Sequence, residues 1–316
     1  MLVAVTRRIH KEELERLGEV AEVRLWDSDL PPSPSELQEL VSGADGVLSL
    51  LTDKIDGTIL DGSPGIKVVS NFAVGFDNIN VPACTERGVA VCTTPDVLTE
   101  TTAEFAMALI FSVARQIVPG ERAARGGEWK TWYPMRFLGR DLAGATLGVV
   151  GFGRIGSHLA TMASAFGMEV VYFDPRNEDS RFEKVDLDEL WARSDIISLH
   201  VPLTDQTRGL VGGDTLPQMK SDAILINTSR GPVIDTNALV ESLRSGHLAG
   251  VGLDVTDPEP LPQDHPLYTF DRVTIAPHIA SATHITRRKM AQLSVDNVIA
   301  VLTGTTPPNC LNPEVL

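Results

Sequence analysis

The sequence predicts an α/β protein made of two doubly wound parallel-sheet domains, and three observations carry that expectation. A chain of 316 residues is long for a single core and suits two domains of about 150 residues each. Short β-rich runs alternate with amphipathic segments as far as Cys92, and do so again from Thr146 onward. A glycine-rich hexapeptide, Gly151-Phe152-Gly153-Arg154-Ile155-Gly156, sits between a strand-like run and a helix-like one.

The first alternation places strands at Leu2 to Val5, Val20 to Leu25, Gly46 to Leu50, Lys67 to Ser70 and Val89 to Cys92. Between them, Lys11 to Leu17 and Ser35 to Val41 repeat apolar residues at helical spacing. Thr101 to Val118 reads as one long helix ended by Pro119-Gly120. The second alternation gives six strands, beginning at Leu147, Glu169, Asp195, Ala223, Gly250 and Val273, which is the number a dinucleotide-binding sheet requires. A last helical segment, Thr283 to Leu302, is expected to return to the first domain. The expected division is therefore 1–98 with 285–316, enclosing 99–284.

With 42 acidic against 27 basic side chains the net charge is −15, which repels phosphate backbones and anionic head groups. Neither nucleic acid nor membrane is an expected partner. The run Phe105 to Ala114 has about half the length needed to span a bilayer, and Leu2 to Val5 is short for a signal-peptide core. Cys84, Cys92 and Cys310 follow no metal-ligand spacing and are too few to staple the chain. They read as small apolar filler in a reducing cytoplasm, and no metal site is expected. The same acidity repels small anions, so an anion site must be a local exception.

The hexapeptide is one such exception. Gly151 permits a tight turn, Gly153 lets backbone amides approach a pyrophosphate, and Gly156 lets the helix pack closely on the strand, whose N-terminus favours negative charge. The motif calls for an acid about 20 residues on, at the end of the next strand, to bond the ribose hydroxyls. Asp174 closes Glu169-Val170-Val171-Tyr172-Phe173-Asp174 and meets that requirement, although a turn residue before Pro175 would look the same. A carboxylate there repels a 2′-phosphate and favours NAD, while Arg176 keeps NADP as the alternative.

Polar residues follow the later strands at the edge where such folds place their chemistry: Asn227 to Gly231, Asp254 and His278, with Glu259 in Asp257-Pro258-Glu259-Pro260. Arg230 offers a planar fork to a carboxylate and adjacent oxo group. His278 can give a proton to a developing alkoxide, a nearby Glu259 stabilises the imidazolium, and hydride from a nicotinamide completes the reaction. Singly, each could be structural; downstream of a dinucleotide motif they form a catalytic set.

Over nearly its whole length the sequence resembles the D-2-hydroxyacid dehydrogenases, and among them the glyoxylate/hydroxypyruvate reductases. The markers are Leu147 to Gly156, Asn227 to Gly231, Gly252-Leu253-Asp254-Val255 and Pro277-His278-Ile279-Ala280-Ser281, with Trp26-Asp27-Ser28-Asp29 and Trp129-Lys130-Thr131-Trp132 for the subgroup. The resemblance implies a Rossmann-type cofactor domain and a smaller flavodoxin-like substrate domain. It implies that Arg230 binds and polarises a small anionic 2-oxo acid, that His278 is the general acid, and that Glu259 pairs with it. Val74 and Gly75 match the loop whose amides hold the substrate carboxylate. Leu51 matches a residue lining the pocket, and Trp132 one that reaches in from the other subunit of a homodimer. Thr102, Val201, Pro202, Thr207, Thr228, Ser229, Asp254 and Ala280 match cofactor contacts, Asp254 on the nicotinamide amide, beside Phe152, Arg154, Ile155, Arg230 and His278. Several reductases of this type lack the acid matching Asp174 and use NADP.

A related dehydrogenase for 3-phosphoglycerate, phosphite or another 2-hydroxy acid is the nearest alternative, and an NAD-sensing corepressor is one from a different class. Phosphoglycerate enzymes often carry an extra regulatory domain, and formate dehydrogenases pair their histidine with glutamine where this chain has Glu259.

Overall fold

The computed structural model describes every residue from Met1 to Leu316. The chain forms two compact units, Met1–Leu98 with Thr283–Leu316, and Thr99–Ala282. In the first, strands and helices alternate without exception: β1 (Leu2–Val5), α1 (Lys11–Gly18), β2 (Glu22–Leu25), α2 (Pro34–Val41), β3 (Gly46–Ser49), α3 (Gly57–Asp61), β4 (Val68–Asn71), α4 (Val81–Glu86) and β5 (Ala90–Cys92). All pairings are parallel, in the order β2-β1-β3-β4-β5. Ala4, Val47, Val69 and Val91 share one core with Leu37 and Leu40 of α2, Ile59 and Leu60 of α3 and Cys84 of α4. Alternate residues such as Val3, Leu48 and Val68 are equally buried and point to the opposite face.

The second unit opens with α5 (Thr99–Ala114) and α6 (Ile117–Arg125) and continues through β6 (Thr146–Val150), α7 (Arg154–Ala165), β7 (Glu169–Phe173), β8 (Glu183–Lys184), α8 (Leu187–Arg193), β9 (Ile196–Leu199), β10 (Ile224–Asn227), α9 (Thr236–Ser245), β11 (Gly250–Leu253) and β12 (Val273–Ile275). Its sheet is parallel throughout, ordered β12-β11-β10-β9-β6-β7-β8. Leu147, Val149, Ile196 and Ile226 pack with α5 and α7, while Val150, Ile197, Leu199 and Leu225 pack with α8 and α9. Helices therefore cover both faces, as a doubly wound sheet demands. Strand order reverses between β6 and β9, so the loops leaving these two strands border the crevice where such sheets bind ligands.

α10 (His284–Leu302), capped by Thr283, returns the chain to the first unit and packs on β3, β4 and β5 beside α1. The dividing residue is thus Thr283, the helix cap, two residues before the expected 285.

Two expectations are corrected. The single helix over 101–118 is two helices, parted at Gln116, which adopts a left-handed φ of 54°. The Ala114 carbonyl, which a continuing helix would use, accepts instead from the Arg140 backbone N–H at 2.8 Å. Pro119 and Gly120 fall in the first turn of α6, where a missing N–H costs nothing. The cofactor-type sheet also has seven strands where six were expected. The extra one, β8, is two exposed residues at an edge and carries no apolar alternation to reveal it.

Candidate active site

The glycine loop leaves β6 with each glycine in a different situation. Gly151 has φ 93°, and a Cβ there would lie within 3 Å of the His200–Val201 backbone. A Cβ on Gly156 would lie 2.2 Å from the Gly151 carbonyl oxygen and 3.0 Å from Val149 Cγ1, so this glycine sets the approach of α7 to β6. Gly153 is different: a Cβ there would meet no atom within 4 Å. Protein packing therefore does not require a glycine at 153. Gly153 is also the N-cap of α7 and offers its first-turn N–H groups no side-chain acceptor. The helices α2, α8 and α9, by contrast, are capped by Ser33, Asp186 and Asp235. Arg154 and Ile155 begin α7, at its positive end.

Phe152 holds this loop in shape. Its ring stacks on Tyr172 with centroids 3.8 Å apart, and its N–H donates to Asp174 Oδ2 at 2.8 Å. Asp174 Oδ1 accepts from the N–H groups of Arg176 and Asn177, both at 2.8 Å. Burial alone pushes the Asp174 carboxyl upward, but these backbone donors from Asn177, Arg176 and Phe152 more than offset it and hold it below the usual carboxylate range. Asp174 is therefore a charged strand-end turn residue and the acid at the glycine loop at once. Across the crevice, Thr207 closes the turn after Val201-Pro202 by donating to the Pro202 carbonyl at 2.6 Å. Thr102 lies buried in the first turns of α5.

The loops after β10, β11 and β12 bring the polar residues together. Asn227, fully buried, accepts from the Ser229 N–H and hydroxyl on Oδ1 and donates through Nδ2 to the Arg230 carbonyl. This side chain shapes the turn that presents Arg230, whose Nη1 also donates to the Ser229 carbonyl. Thr228 Oγ1 is buried with no hydrogen-bond partner, an open position in a loop whose other polar groups are bonded. Gly231 lets this loop press against the next, since a Cβ there would lie 1.9 Å from the Thr256 carbonyl oxygen.

That contact puts Arg230 in electrostatic reach of Glu259. Glu259 Oε1 pairs with His278 Nδ1 at 2.6 Å, and Oε2 accepts from the Thr256 N–H at 3.3 Å. Burial raises the Glu259 carboxyl, but His278, Thr256 and the Arg230 charge outweigh it and keep the group below its ordinary value. His278 has a left-handed φ of 53°, a conformation that costs a non-glycine residue about 1–3 kcal/mol and persists only where neighbours enforce it. Asp254 is the enforcing neighbour. Its backbone carbonyl accepts from the His278 N–H, and its two carboxylate oxygens accept from Ile279 and Ala280. Burial raises the Asp254 carboxyl despite those two bonds.

Leu51, Val74 and Gly75 belong to the other unit, following β3 and β4 at the carboxyl edge of its sheet. Buried Asn71 donates to the Gly75 carbonyl at 2.9 Å and fixes that loop. Trp132 lies in the irregular segment between α6 and β6 and is 80% exposed. Two contributors escaped the sequence reading as functional residues. Asn227 carried the signal of an Asx turn, a side-chain acceptor two residues before Ser229. Gly231 carried none, because its partner is 25 residues away in sequence.

A family model described as D-isomer specific 2-hydroxyacid dehydrogenase, NAD binding domain, matches residues 107–280. The chain is 47% identical to a glyoxylate reductase of Korarchaeum cryptofilum, covering 99% of this chain and 96% of that one. A crystal structure of a Thermus thermophilus protein matches with a TM-score of 0.95 at 47% identity, covering 98% of this chain and 100% of the other. An NADPH-dependent glyoxylate/hydroxypyruvate reductase from Sinorhizobium meliloti, solved with NADP and malonate, matches at 0.87 with 31% identity over 99% and 97% of the two chains.

Proposed function

The chain belongs to the D-isomer specific 2-hydroxyacid dehydrogenases, and from that membership we propose that it reduces glyoxylate or hydroxypyruvate to the 2-hydroxy acid with NADH or NADPH. The observation that carries the catalytic assignment is the 2.6 Å His278–Glu259 pair with the Arg230 charge beside it, in the unit that holds the glycine loop. The first unit is the substrate-binding part and the second the cofactor-binding part.

The residues present suit a dinucleotide: open space over Gly153, a helix N-terminus without a side-chain cap, and the unpartnered Thr228 hydroxyl. When bound, the reduced nicotinamide supplies the hydride. Arg230 holds the substrate carboxylate and draws charge onto the oxo oxygen, and the family resemblance makes Val74 and Gly75 of the first unit substrate-binding residues. His278 gives its proton to the developing alkoxide, and Glu259 stabilises the imidazolium before that transfer. Asp174 selects against a 2′-phosphate, so NADH is the preferred coenzyme.

The active species is a homodimer in the cytoplasm. Trp129, Trp132, Met135 and Leu138 are each more than 60% exposed within one short segment, an apolar strip suited to a second copy. Free thiols at all three cysteines suit a reducing compartment.

Steady-state rates with glyoxylate, hydroxypyruvate, pyruvate and phosphohydroxypyruvate, each with both coenzymes, test this reading. Highest kcat/KM for one of the first two with NADH is expected. No turnover with any pair would overturn the enzyme assignment, and fastest turnover of phosphohydroxypyruvate would replace the substrate.

A further inference from the structure

After α10 the C-terminal tail runs back along β5, the edge strand of the first sheet. The Leu311 N–H donates to the Val91 carbonyl at 2.8 Å, and the Val91 N–H donates to Asn312 Oδ1 at 2.8 Å. The Thr93 N–H and hydroxyl donate to Asn309 Oδ1, and Asn312 Nδ2 donates to the Val89 carbonyl. Tail numbers rise as strand numbers fall, so the two segments are antiparallel and Cys310 stands opposite Cys92. The bonded pairs Thr93–Asn309 and Val91–Leu311 bracket the two cysteines and bring them to the same point of the sheet edge. Cys310 Sγ lies 3.5 Å from Asn312 Oδ1, and burial, with the nearby Cys310 adding to it, pushes the Cys92 thiol up. Cys92 is fully buried, whereas Cys310 is partly exposed.

We propose that Cys92 and Cys310 are an oxidisable pair that closes reversibly to a disulfide when the protein meets hydrogen peroxide. The partly exposed Cys310 sulfur attacks a peroxide oxygen, the O–O bond breaks, and a sulfenic acid and one water form. The Cys92 sulfur then displaces the sulfenic oxygen, which leaves as a second water carrying the Cys92 proton. Both sulfurs are oxidised, both peroxide oxygens are reduced, and a thiol reductant reverses the step. Cys310 is the partly exposed sulfur and Cys92 the fully buried one, so Cys310 is the first to meet peroxide and Cys92 the resolving partner.

The consequence follows from the chain path. The chain leaves the first unit after Leu98 and re-enters it at Thr283, so the link closes a covalent ring that includes the entire second unit. Such a ring restricts the unfolded chain far more than the folded one.

The native protein is to be exposed to dilute hydrogen peroxide, its remaining thiols blocked with N-ethylmaleimide, and its peptides mapped by mass spectrometry. A Cys92–Cys310 linked peptide that dithiothreitol abolishes is expected, retained in Cys84→Ser and lost in Cys310→Ser. The urea midpoint should rise on oxidation in the parent and in Cys84→Ser, but not in Cys310→Ser. Sulfinic or sulfonic acid at Cys310 with Cys92 still a free thiol would overturn the proposal, as would a link to Cys84 or one that forms only in denaturant.

Discussion

In the proposed reaction the proton from His278 comes from Nε2, because Nδ1 is committed to Glu259 Oε1. In that reading the carboxylate selects which nitrogen faces the substrate. His278→Ala should lower kcat by about 10²–10⁴-fold, the range for a lost general acid, while leaving the coenzyme Kd within about twofold. Single-turnover rates and NADH fluorescence titration check this, and equal loss of both would contradict the role. Asp174 poses a separate case, since it serves the loop and the turn as well as the expected ribose. Asp174→Ala should therefore do two things: reduce the preference for NADH over NADPH, read as the ratio of kcat/KM values, and lower the thermal midpoint by leaving the Phe152, Arg176 and Asn177 N–H groups unsatisfied.

At the scale of elements, packing requires glycine at 151 and 156 of the β6–α7 unit but not at 153, which the proposed function gives to coenzyme binding. Gly156→Ala forces a Cβ to 2.2 Å from the Gly151 carbonyl and should cost about 1–3 kcal/mol of stability, seen as a lower urea midpoint. Gly153→Ala meets nothing in the protein and should cost under about 1 kcal/mol as a changed cap. The same substitution should weaken coenzyme binding tenfold or more, because its methyl points into the space left beside the loop. Calorimetric titration alongside denaturant melts distinguishes the two variants. This division was legible in part: glycine spacing after an apolar run located the loop, because it encodes local backbone geometry. The break between α5 and α6 was not legible, since a carbonyl captured by Arg140 is a contact across 26 residues of sequence.

For the whole molecule, acid stability should fall in two stages. Burial pushes His200 down to about 4, well below its ordinary 6.5, so the unfolded chain takes up this proton first. The His200 contribution is complete above pH 6.5 and is lost as pH falls toward about 4. Asp174, Asp195 and Glu259 have lowered values, so their contributions are complete above the ordinary carboxylate range and disappear only at lower pH. Urea midpoints between about pH 7 and 2 should show both stages, and His200→Gln should flatten the first. At the proposed dimer, Trp132→Ala should raise KM for glyoxylate with little change in coenzyme affinity. An unchanged KM together with monomeric sedimentation of the parent protein would remove the second copy from the site.

The sequence by itself determined two parallel α/β sheets and the glycine loop, and it singled out Arg230, Glu259 and His278 as the candidates that the proposed function uses. Each of these is written in local periodicity, in turn residues at strand ends, or in the family resemblance. Only the tertiary structure decided that Gly231 against Thr256 carries Arg230 toward Glu259, that Asp254 enforces the backbone of His278, and that Cys310 stands opposite Cys92. The physical reason is common to all three. Each depends on segments distant in sequence meeting at contact range, a distance that packing sets and local residue pattern does not encode.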